Sequence, residues 1–297
     1  MAGRFAPSPT SDLHLGNLRT ALLAWVYARA AALPCYVRIE DLDQCRIAAA
    51  PEIANRQLED LATLGLDWDG PVLRQSERFD VYRAAAATLP TYECFCTRRE
   101  IAAAAQAPHG SYRPYPGTCA HLSVAERDAK RRIRPPAIRV RAAAVRFGIR
   151  DRFAGAVTRT VDDFVLIRND GLPAYNLAVV VDDGLQGVTQ VTRGADLLDS
   201  APRQAWLASR LGFTVPSYIH VGMAVNQAGD RLAKRDGAVT LRDLMAAGQD
   251  VATVYRSLTD SLGWPETASP RDLLTLVRKQ PELLDAPRVS KPWTVAC

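Results

Sequence analysis

The first forty residues contain a short strand, a proline-rich loop, a helix and a second strand, and this succession constrains the fold more than any other feature. Arg4 to Ala6 is a short extended run, and Pro7 and Pro9 keep the loop after it out of a helical conformation. Apolar residues then recur at helical spacing from His14 onward, and Cys35 to Ile39 is rich in β-forming residues. This order predicts a right-handed βαβ unit of a parallel sheet.

Parallel sheets bind ligands at the carboxyl ends of their strands. The loop from Pro7 to Leu13 and the acidic run from Glu40 to Asp43 each follow a predicted strand, so we expect them at the same edge of the sheet. The apolar run from Tyr175 to Val181 favours a β-type or mixed element, and residues 137–168 favour several strands. Further segments with helical spacing are 52–64, 78–89, 124–133 and 200–211.

The order of these elements predicts an α/β fold in three parts. A split parallel α/β domain occupies residues 1–87 and 175–240, an inserted α+β subdomain occupies 88–174, and a small helical appendix occupies 241–297. The apolar fraction of 48% and the charged fraction of 23% are ordinary for a globular protein. They argue against long disordered, collagen-like or coiled-coil sequence.

Charge, cysteine content and the length of the apolar runs predict a cytoplasmic protein. The apolar runs are far shorter than the roughly 20 residues that span a bilayer, and the first residues lack the apolar segment of a signal peptide. We therefore expect no membrane association. Six cysteines in such a chain indicate thiols or metal ligands rather than disulfides. The net charge of +5 suits a polyanion such as RNA, although a basic protein without such a partner would carry the same charge.

The tetrapeptide His14-Leu15-Gly16-Asn17 opens the first predicted helix. His14 and Asn17 share one helix face because they are three residues apart, and Gly16 leaves room for a flat ring beside the backbone. Helix N-termini attract phosphate because their amides are unpaired and the helix dipole is positive there. The tetrapeptide is therefore a candidate site for a nucleoside triphosphate, and an incidental histidine at a helix start is the alternative.

The segment Arg231-Leu232-Ala233-Lys234-Arg235 carries three cations in five residues and is followed by Gly237. A mobile basic loop of this kind can close over a pyrophosphate. The compact charge of Lys234 suits phosphate oxygens. Taken alone, the same segment would be read as a solvated basic turn.

Four polar residues at predicted strand and loop ends have the chemistry to bind an amino acid. Arg4 and Arg193 can each hold a carboxylate in a bidentate fork. Glu40 can pair with an ammonium group, and Tyr175 can supply a hydroxyl and an aromatic wall. Each residue alone is more often structural, and their shared placement makes the set a candidate site.

Five segments together resemble the class I glutamyl-tRNA synthetase group. In chain order they are RFAPSPTSDLHLGN, RIEDLD, DGLPAYNLAVVVDD, VTRGADLL and RLAKR, and they extend over about residues 3–240. HLGN stands for the HIGH signature of that group and RLAKR for its KMSKS loop. The resemblance implies a class I synthetase fold, with a Rossmann-type parallel sheet, an inserted zinc-bearing α+β subdomain and a stem-contact-like helical appendix.

The number of residues after the last motif distinguishes between members of this group. The chain runs only to residue 297 after Thr240, which is too short for the anticodon-binding region of a glutamyl-tRNA synthetase. The better match is the truncated paralogue family, the glutamyl-queuosine tRNA(Asp) synthetases. That resemblance implies activation of L-glutamate with ATP and Mg²⁺, and transfer of the glutamate to the queuosine base in the anticodon loop of tRNA(Asp). Nothing in the sequence suggests an obligate dimer, so we expect a monomer.

The resemblance also assigns site residues. The implied glutamate site comprises Arg4, Phe5, Ala6, Pro7, Ser8, Glu40, Tyr175 and Arg193. The implied ATP site comprises His14, Gly16, Asn17 and Lys234, of which His14, Asn17 and Lys234 are the expected catalytic residues. Ser11 replaces the usual glycine of the loop before the HIGH signature, and Ala233 replaces a small hydroxyl residue of the KMSKS loop. Neither change removes a charge, so we expect activity to survive.

Three other functions stay open at the level of sequence. A truncated glutamyl-tRNA synthetase would charge tRNA(Glu). A non-catalytic RNA-binding paralogue would account for the departures at Ser11 and Ala233. A small-molecule adenylyltransferase would share the phosphate site, but it would not need the charges at Arg4, Glu40 and Arg193.

Three cysteines and a fourth residue form a candidate site for one structural zinc ion. The thiols are those of Cys94, Cys96 and Cys119, which could occupy three corners of a zinc tetrahedron. Chemistry alone nominates His109 or His121 as the fourth ligand, whereas the family resemblance nominates Tyr115. Three free thiols are the alternative.

A basic run in the same insert is a candidate RNA-contacting surface. It comprises Arg127, Lys130, Arg131, Arg132, Arg134, Arg139 and Arg141. A solvated helix face and strand edge is the alternative.

Overall fold

The computed structural model describes residues 1–43, 50–97, 99–101, 114–229, 232 and 239–295. The strands are β1 (Ala2–Phe5), β2 (Cys35–Ile39), β3 (Leu73–Arg74), β4 (Thr91–Cys94), β5 (Ala137–Val140), β6 (Val145–Asp151), β7 (Gly155–Val161), β8 (Val165–Ile167), β9 (Val188–Gly194), β10 (Ser217–Val221), β11 (Ala224–Val225) and β12 (Trp293–Thr294). The helices are α1 (Leu15–Ala30), α2 (Ile53–Thr63), α3 (Phe79–Ala87), α4 (Val124–Arg131), α5 (Tyr175–Leu185), α6 (Ala201–Arg210), α7 (Leu241–Ala246), α8 (Val251–Leu262), α9 (Pro270–Lys279) and α10 (Pro287–Ser290).

A seven-stranded sheet in the order β3-β2-β1-β9-β10-β6-β7 forms the centre of the molecule. All its neighbouring strands are parallel except β6 and β7, which are antiparallel. Strands β1 and β2 pair in parallel around helix α1, so the predicted βαβ unit is confirmed. The backbone amide of Glu40 donates to the carbonyl of Pro7 at 2.9 Å. The two segments therefore lie at the same sheet edge, as expected.

Helix α1 is buried between the sheet and the C-terminal helices. Its side chains are apolar on nearly every face, and Leu18, Leu23 and Val26 are completely buried. Gly3 lets β1 approach this helix closely, because a Cβ there would lie only 2.7 Å from the Cβ of Ala28. The close approach fixes the position of the loop that connects β1 to α1.

The predicted insert at 88–174 spans two sheets. Strands β4, β5 and β8 form a separate antiparallel sheet, whereas β6 joins the main sheet through the pairing of Asp151 with Tyr218. Hairpin periodicity in a sequence indicates strands but not the sheet edge on which the hairpin docks. The domain boundaries themselves stay a prediction.

The predicted appendix at 241–297 shares its core with helix α1. Residues of α8 and α9, such as Leu258 and Leu273, belong to the same buried apolar cluster as Leu22. The buried guanidinium of Arg19 on α1 donates to the Oγ of Ser261 and to the carbonyls of Gly222 and Arg288. Strand β12 pairs in parallel with β11, the short strand that follows β10 in the chain. The last described strand is therefore joined to the segment that leaves the main sheet.

The prediction of a β-type or mixed element at 175–181 is wrong, because these residues open helix α5. The run of valines favours a strand by propensity, but Leu177 to Val181 are buried on all sides. In a segment that is buried on all sides, apolar and polar residues do not alternate, so the sequence pattern cannot distinguish a strand from a helix. Among the described helices, none is both long and apolar enough to cross a membrane.

Candidate active site

A cavity of about 530 Å³ opens at the carboxyl ends of β1, β2, β9 and β10. It brings together all the residues predicted for glutamate, namely Arg4, Phe5, Ala6, Pro7, Ser8, Glu40, Tyr175 and Arg193. His14, Gly16 and Asn17 of the predicted ATP site line the same cavity, as does Leu232 of the basic loop. Lys234 lies outside the described residues. The start of helix α1 and Leu232, the described residue of the basic segment, therefore line one cavity, while the roles of the predicted site residues stay predictions.

His14 is the N-cap of helix α1 and its ring has a defined tautomer. The Nδ1 atom accepts the backbone amides of Gly16 at 3.1 Å and Asn17 at 3.3 Å, and the Oδ1 of Asn17 accepts the amide of His14 at 3.2 Å. An acceptor nitrogen cannot carry the proton, so the neutral ring has its proton on Nε2. The Nδ1 atom thus caps the start of the helix, and the Nε2 atom is a hydrogen-bond donor.

Gly16 has a steric role in the packing of the helix start. A Cβ at this position would lie 2.6 Å from the Cβ of Ala224, on β11. The glycine therefore lets the helix start pack against β11. Gly16 also lines the cavity, and its predicted role beside a flat ring stays a prediction.

A buried charge network joins the cavity residues Arg4 and Glu40 to Arg38 and Asp183 behind them. Arg38 is fully buried and donates to the Oδ1 of Asp183 at 2.8 Å and to the Oε1 of Glu40 at 3.3 Å. Arg4 donates to the same oxygen of Asp183 at 3.3 Å. Burial alone would raise the pKa of Asp183, but Arg38 and Arg4 hold that pKa below its usual value. Burial raises the pKa of Glu40 against the opposing effect of both arginines.

Arg193 is held by four hydrogen bonds to neutral groups. Its Nε donates to the Nε2 of His220 at 3.1 Å and its Nη1 to the Oε1 of Gln204 at 2.6 Å. Its Nη2 donates to the carbonyl of Leu197 at 3.2 Å and to the Oγ of Ser200 at 3.5 Å. These contacts occupy much of the fork that the sequence analysis reserved for a carboxylate, so only part of the guanidinium is available to a ligand.

Tyr175 is the first residue of helix α5 and its half-buried ring lines the cavity. Burial raises the pKa of its hydroxyl, with Glu40 acting in the same direction and Arg193 and Arg4 opposing it. The hydroxyl is therefore neutral near pH 7 and can donate a hydrogen bond.

Gln57 is a cavity residue that the sequence analysis missed. Its Nε2 donates to the carbonyl of Ser11 at 2.7 Å and to that of Ser8 at 3.2 Å, which ties helix α2 to the loop before α1. Ser11 is not among the described residues with a positive φ, so it fits this loop without backbone strain. A single glutamine in a helix carries no sequence signal for such a tether.

The basic run of the insert is divided by the fold. Arg139 is buried and stacks over the ring of Tyr115, with 3.7 Å from its Cζ to the ring centroid. Arg131 pairs with Glu93 and Asp128 on the surface. The run is therefore not one continuous cationic surface, although Lys130 and Arg132 are exposed.

The three predicted metal-binding cysteines form one group that could hold a metal ion. The sulfur atoms of Cys94, Cys96 and Cys119 all lie within 4.8 Å of one another. The hydroxyl of Tyr115 lies 3.4 Å from the sulfur of Cys94 and 3.6 Å from that of Cys96. His121 is described but does not belong to this group, and His109 lies outside the described residues.

Comparison with known proteins identifies the class to which this fold and site belong. The family model for the catalytic domain of class I tRNA synthetases (E and Q) matches residues 1–277. A glutamate-tRNA synthetase from Elizabethkingia anophelis shares the fold with a TM-score of 0.79 at 24% identity, over 98% of this chain and 68% of that chain. The cavity at the ends of parallel strands is therefore that of a class I tRNA synthetase catalytic domain.

Closer relatives define the family. The glutamyl-Q tRNA(Asp) synthetase of Cutibacterium acnes is 57% identical over 94% of this chain and 81% of its own length. The glutamyl-Q tRNA(Asp) synthetase of Nocardia farcinica is 58% identical over 92% of this chain and 88% of its own length. The chain belongs to the glutamyl-Q tRNA(Asp) synthetase family.

The close contact between Gly16 and Ala224 can be tested by a double-mutant cycle. Gly16→Ala should lower the free energy of unfolding by about 1–3 kcal/mol, because the added methyl overpacks the helix start. Ala224→Gly removes the opposing Cβ, so Gly16→Ala should cost less in that background. Denaturant unfolding of the four proteins measures the coupling. An equal cost in both backgrounds would contradict the contact.

Proposed function

We propose that this protein activates L-glutamate with ATP and transfers the glutamate to the queuosine base in the anticodon loop of tRNA(Asp). The family supports this reaction, since the relatives that match most of the chain are glutamyl-Q tRNA(Asp) synthetases. The observation that carries the proposal is the shared cavity, in which the side chains of Arg4, Arg193 and Glu40 lie beside the N-terminus of helix α1. Such a cavity can hold an amino acid and a nucleotide next to each other.

In this proposal, the charges of the cavity orient glutamate. Arg4 and Arg193 attract its carboxylates, and Glu40 faces its ammonium group. Tyr175 donates a hydrogen bond from its neutral hydroxyl, and its ring closes one side of the cavity. The mixture of cationic and anionic groups favours a zwitterionic, acidic amino acid, because each charge of the ligand then meets an opposite charge. This feature favours the proposal over a small-molecule adenylyltransferase.

The start of helix α1 and the basic loop bind ATP in this proposal. The Nε2 proton of His14, the amides at the helix start and the ammonium of Lys234 stabilise the phosphates, and Asn17 holds the cap in place. Mg²⁺ accompanies the ATP and offsets phosphate charge. A glutamate carboxylate attacks the α-phosphate and pyrophosphate leaves, so the protein contributes positioning and charge stabilisation rather than a general base.

Transfer of labelled glutamate tests the reaction and its acceptor. The protein should attach labelled glutamate, in the presence of ATP, to tRNA from cells that make queuosine and not to tRNA from cells that lack it. Labelling that is independent of queuosine, or labelling of purified tRNA(Glu), would instead support a truncated glutamyl-tRNA synthetase. No glutamate-dependent exchange between ATP and pyrophosphate would support the non-catalytic alternative.

His14→Asn should separate the two roles of the histidine. Asparagine is a favourable N-cap, so the variant should unfold at nearly the same denaturant concentration as the wild type. It lacks the ring donor, so glutamate-dependent ATP–pyrophosphate exchange should fall about 10²–10³-fold. His14→Ala is the comparison variant and should lose about 1 kcal/mol of stability as well. Wild-type exchange in His14→Asn would contradict the role of the donor.

We also propose that the cysteine group binds one structural zinc ion, with Tyr115 as the fourth ligand. Three sulfur atoms and one hydroxyl oxygen are suitable donors for Zn²⁺, and the distances between them are short enough for one ion. The ion would join β4 to the loop that carries Cys119, and so stabilise the small sheet. It takes no part in the reaction.

Metal analysis tests the zinc site. Wild type should contain about one zinc ion per chain, as for a closed structural site, and Cys96→Ser should contain much less. Cys35→Ala is the matched control, because Cys35 is buried in the core of the main sheet and should leave the zinc content unchanged. Tyr115→Phe should weaken retention of zinc against a chelator. Equally low zinc in wild type and Cys96→Ser would remove the site.

A further inference from the structure

Arg193 differs from Arg4 and Arg38, the arginines of the buried charge network, in the partners of its charge. Arg4 and Arg38 form ion pairs with Asp183. Arg193 is 5% exposed, and no carboxylate of the described residues lies within ion-pair distance of it. A buried cation whose hydrogen-bond acceptors are all neutral keeps its attraction for an anionic ligand that can reach it, because no carboxylate of the described residues is in direct contact with it.

One carboxylate reaches Arg193 through an imidazole ring rather than by direct contact. The Oδ2 of Asp151 lies 2.7 Å from the Nδ1 of His220 and also accepts the backbone amide of His220 at 3.0 Å. The Oδ1 of the same carboxylate accepts the amides of Phe153 and Ala154. All of these contacts require an acceptor at Asp151, so the carboxylate is ionised and Nδ1 of His220 carries the proton.

This tautomer directs a lone pair at Arg193. With its proton on Nδ1, the neutral ring of His220 has an acceptor at Nε2, and this atom receives the Nε proton of Arg193 at 3.1 Å. Burial lowers the pKa of His220, against the opposing hydrogen bond to Asp151, so the ring is neutral near pH 7. The plane of the guanidinium is then determined at Nε by His220 and at Nη1 by Gln204.

We propose that His220 is a positioning residue for substrate, and that Asp151 acts through it as a remote counter-charge that orients Arg193 toward a carboxylate of the amino acid. The inference rests on the proposed function and adds two residues to it, neither of which lines the cavity. A carboxylate placed directly against Arg193 would neutralise it and weaken its attraction for substrate. A neutral imidazole holds the guanidinium and leaves its charge for the ligand.

Kinetics of glutamate-dependent ATP–pyrophosphate exchange test this proposal. His220→Leu removes the acceptor and should raise the KM for glutamate about 10- to 100-fold, as expected for a lost charge-assisted hydrogen bond. The KM for ATP and kcat should stay near the wild-type values. His220→Gln places an amide oxygen near the position of Nε2 and should restore most of the glutamate affinity.

Tyr218→Phe is the matched control. The rings of Tyr218 and His220 are stacked, with 5.9 Å between their centroids, so this variant removes a buried hydroxyl from the neighbouring side chain and leaves both the stacked ring and the acceptor in place. Its KM for glutamate should equal that of the wild type. A wild-type KM in His220→Leu, or an equal rise in all three variants, would overturn the proposal.

A spectroscopic measurement supplies a test that does not depend on the stability of the leucine variant. The chain has four histidines, so nitrogen-15 imidazole spectra can be assigned by substitution. His220 should show a protonated Nδ1 and an unprotonated Nε2, and the opposite tautomer would overturn the proposal. An enzyme that exchanges pyrophosphate but lacks the shift in KM contradicts only this inference, whereas a wild type without glutamate-dependent exchange contradicts the proposed function.

Discussion

The fully buried guanidinium of Arg38 is the interaction on which the cavity depends. A buried cation is costly unless it is paired or hydrogen-bonded, and the side chain of Arg38 connects β2 to α5 with Glu40, Asp182 and Asp183 around it. It therefore fixes the strand end that carries Glu40 relative to the helix that carries Asp183. Because Arg4 shares Asp183, the first strand is held in the same network. The charges of the site are thus held in place by buried ion pairs between the sheet and helix α5, and not by ion pairs on the protein surface.

Sequence periodicity predicts the first βαβ unit because its determinants are local. Proline in the loop, apolar spacing in α1 and β-branched residues in β2 all act within a few residues of one another, and the pairing of β1 with β2 follows from them. The helix from Tyr175 to Leu185 and the docking of β6 on β10 depend on burial between distant segments. Local patterns carry no information of this kind, so these two features emerge only in the folded chain.

A similar division applies to the site. The residue types that meet in the cavity could be predicted, because motif and strand-end placement identify Arg4, Glu40 and Arg193 from the sequence alone. The partners that orient them could not. His220 contacts Arg193 from the neighbouring strand β10. Gln57, on helix α2, holds the loop before α1 through the carbonyl of Ser11, which is distant from it in the sequence. Orientation of a buried side chain is a property of tertiary contacts, and no spacing rule encodes it.

Strand β12 has a consequence for the order in which the protein is made. The cavity wall at Met223 and Ala224 is hydrogen-bonded to Trp293 and its strand, whereas the opposite wall comes from the first residues of the chain. During synthesis on the ribosome, the N-terminal half of the wall emerges long before its C-terminal support. A nascent chain therefore cannot complete this cavity until β12 has left the ribosome, so ligand capture must wait for a segment that follows the first wall by most of the described chain.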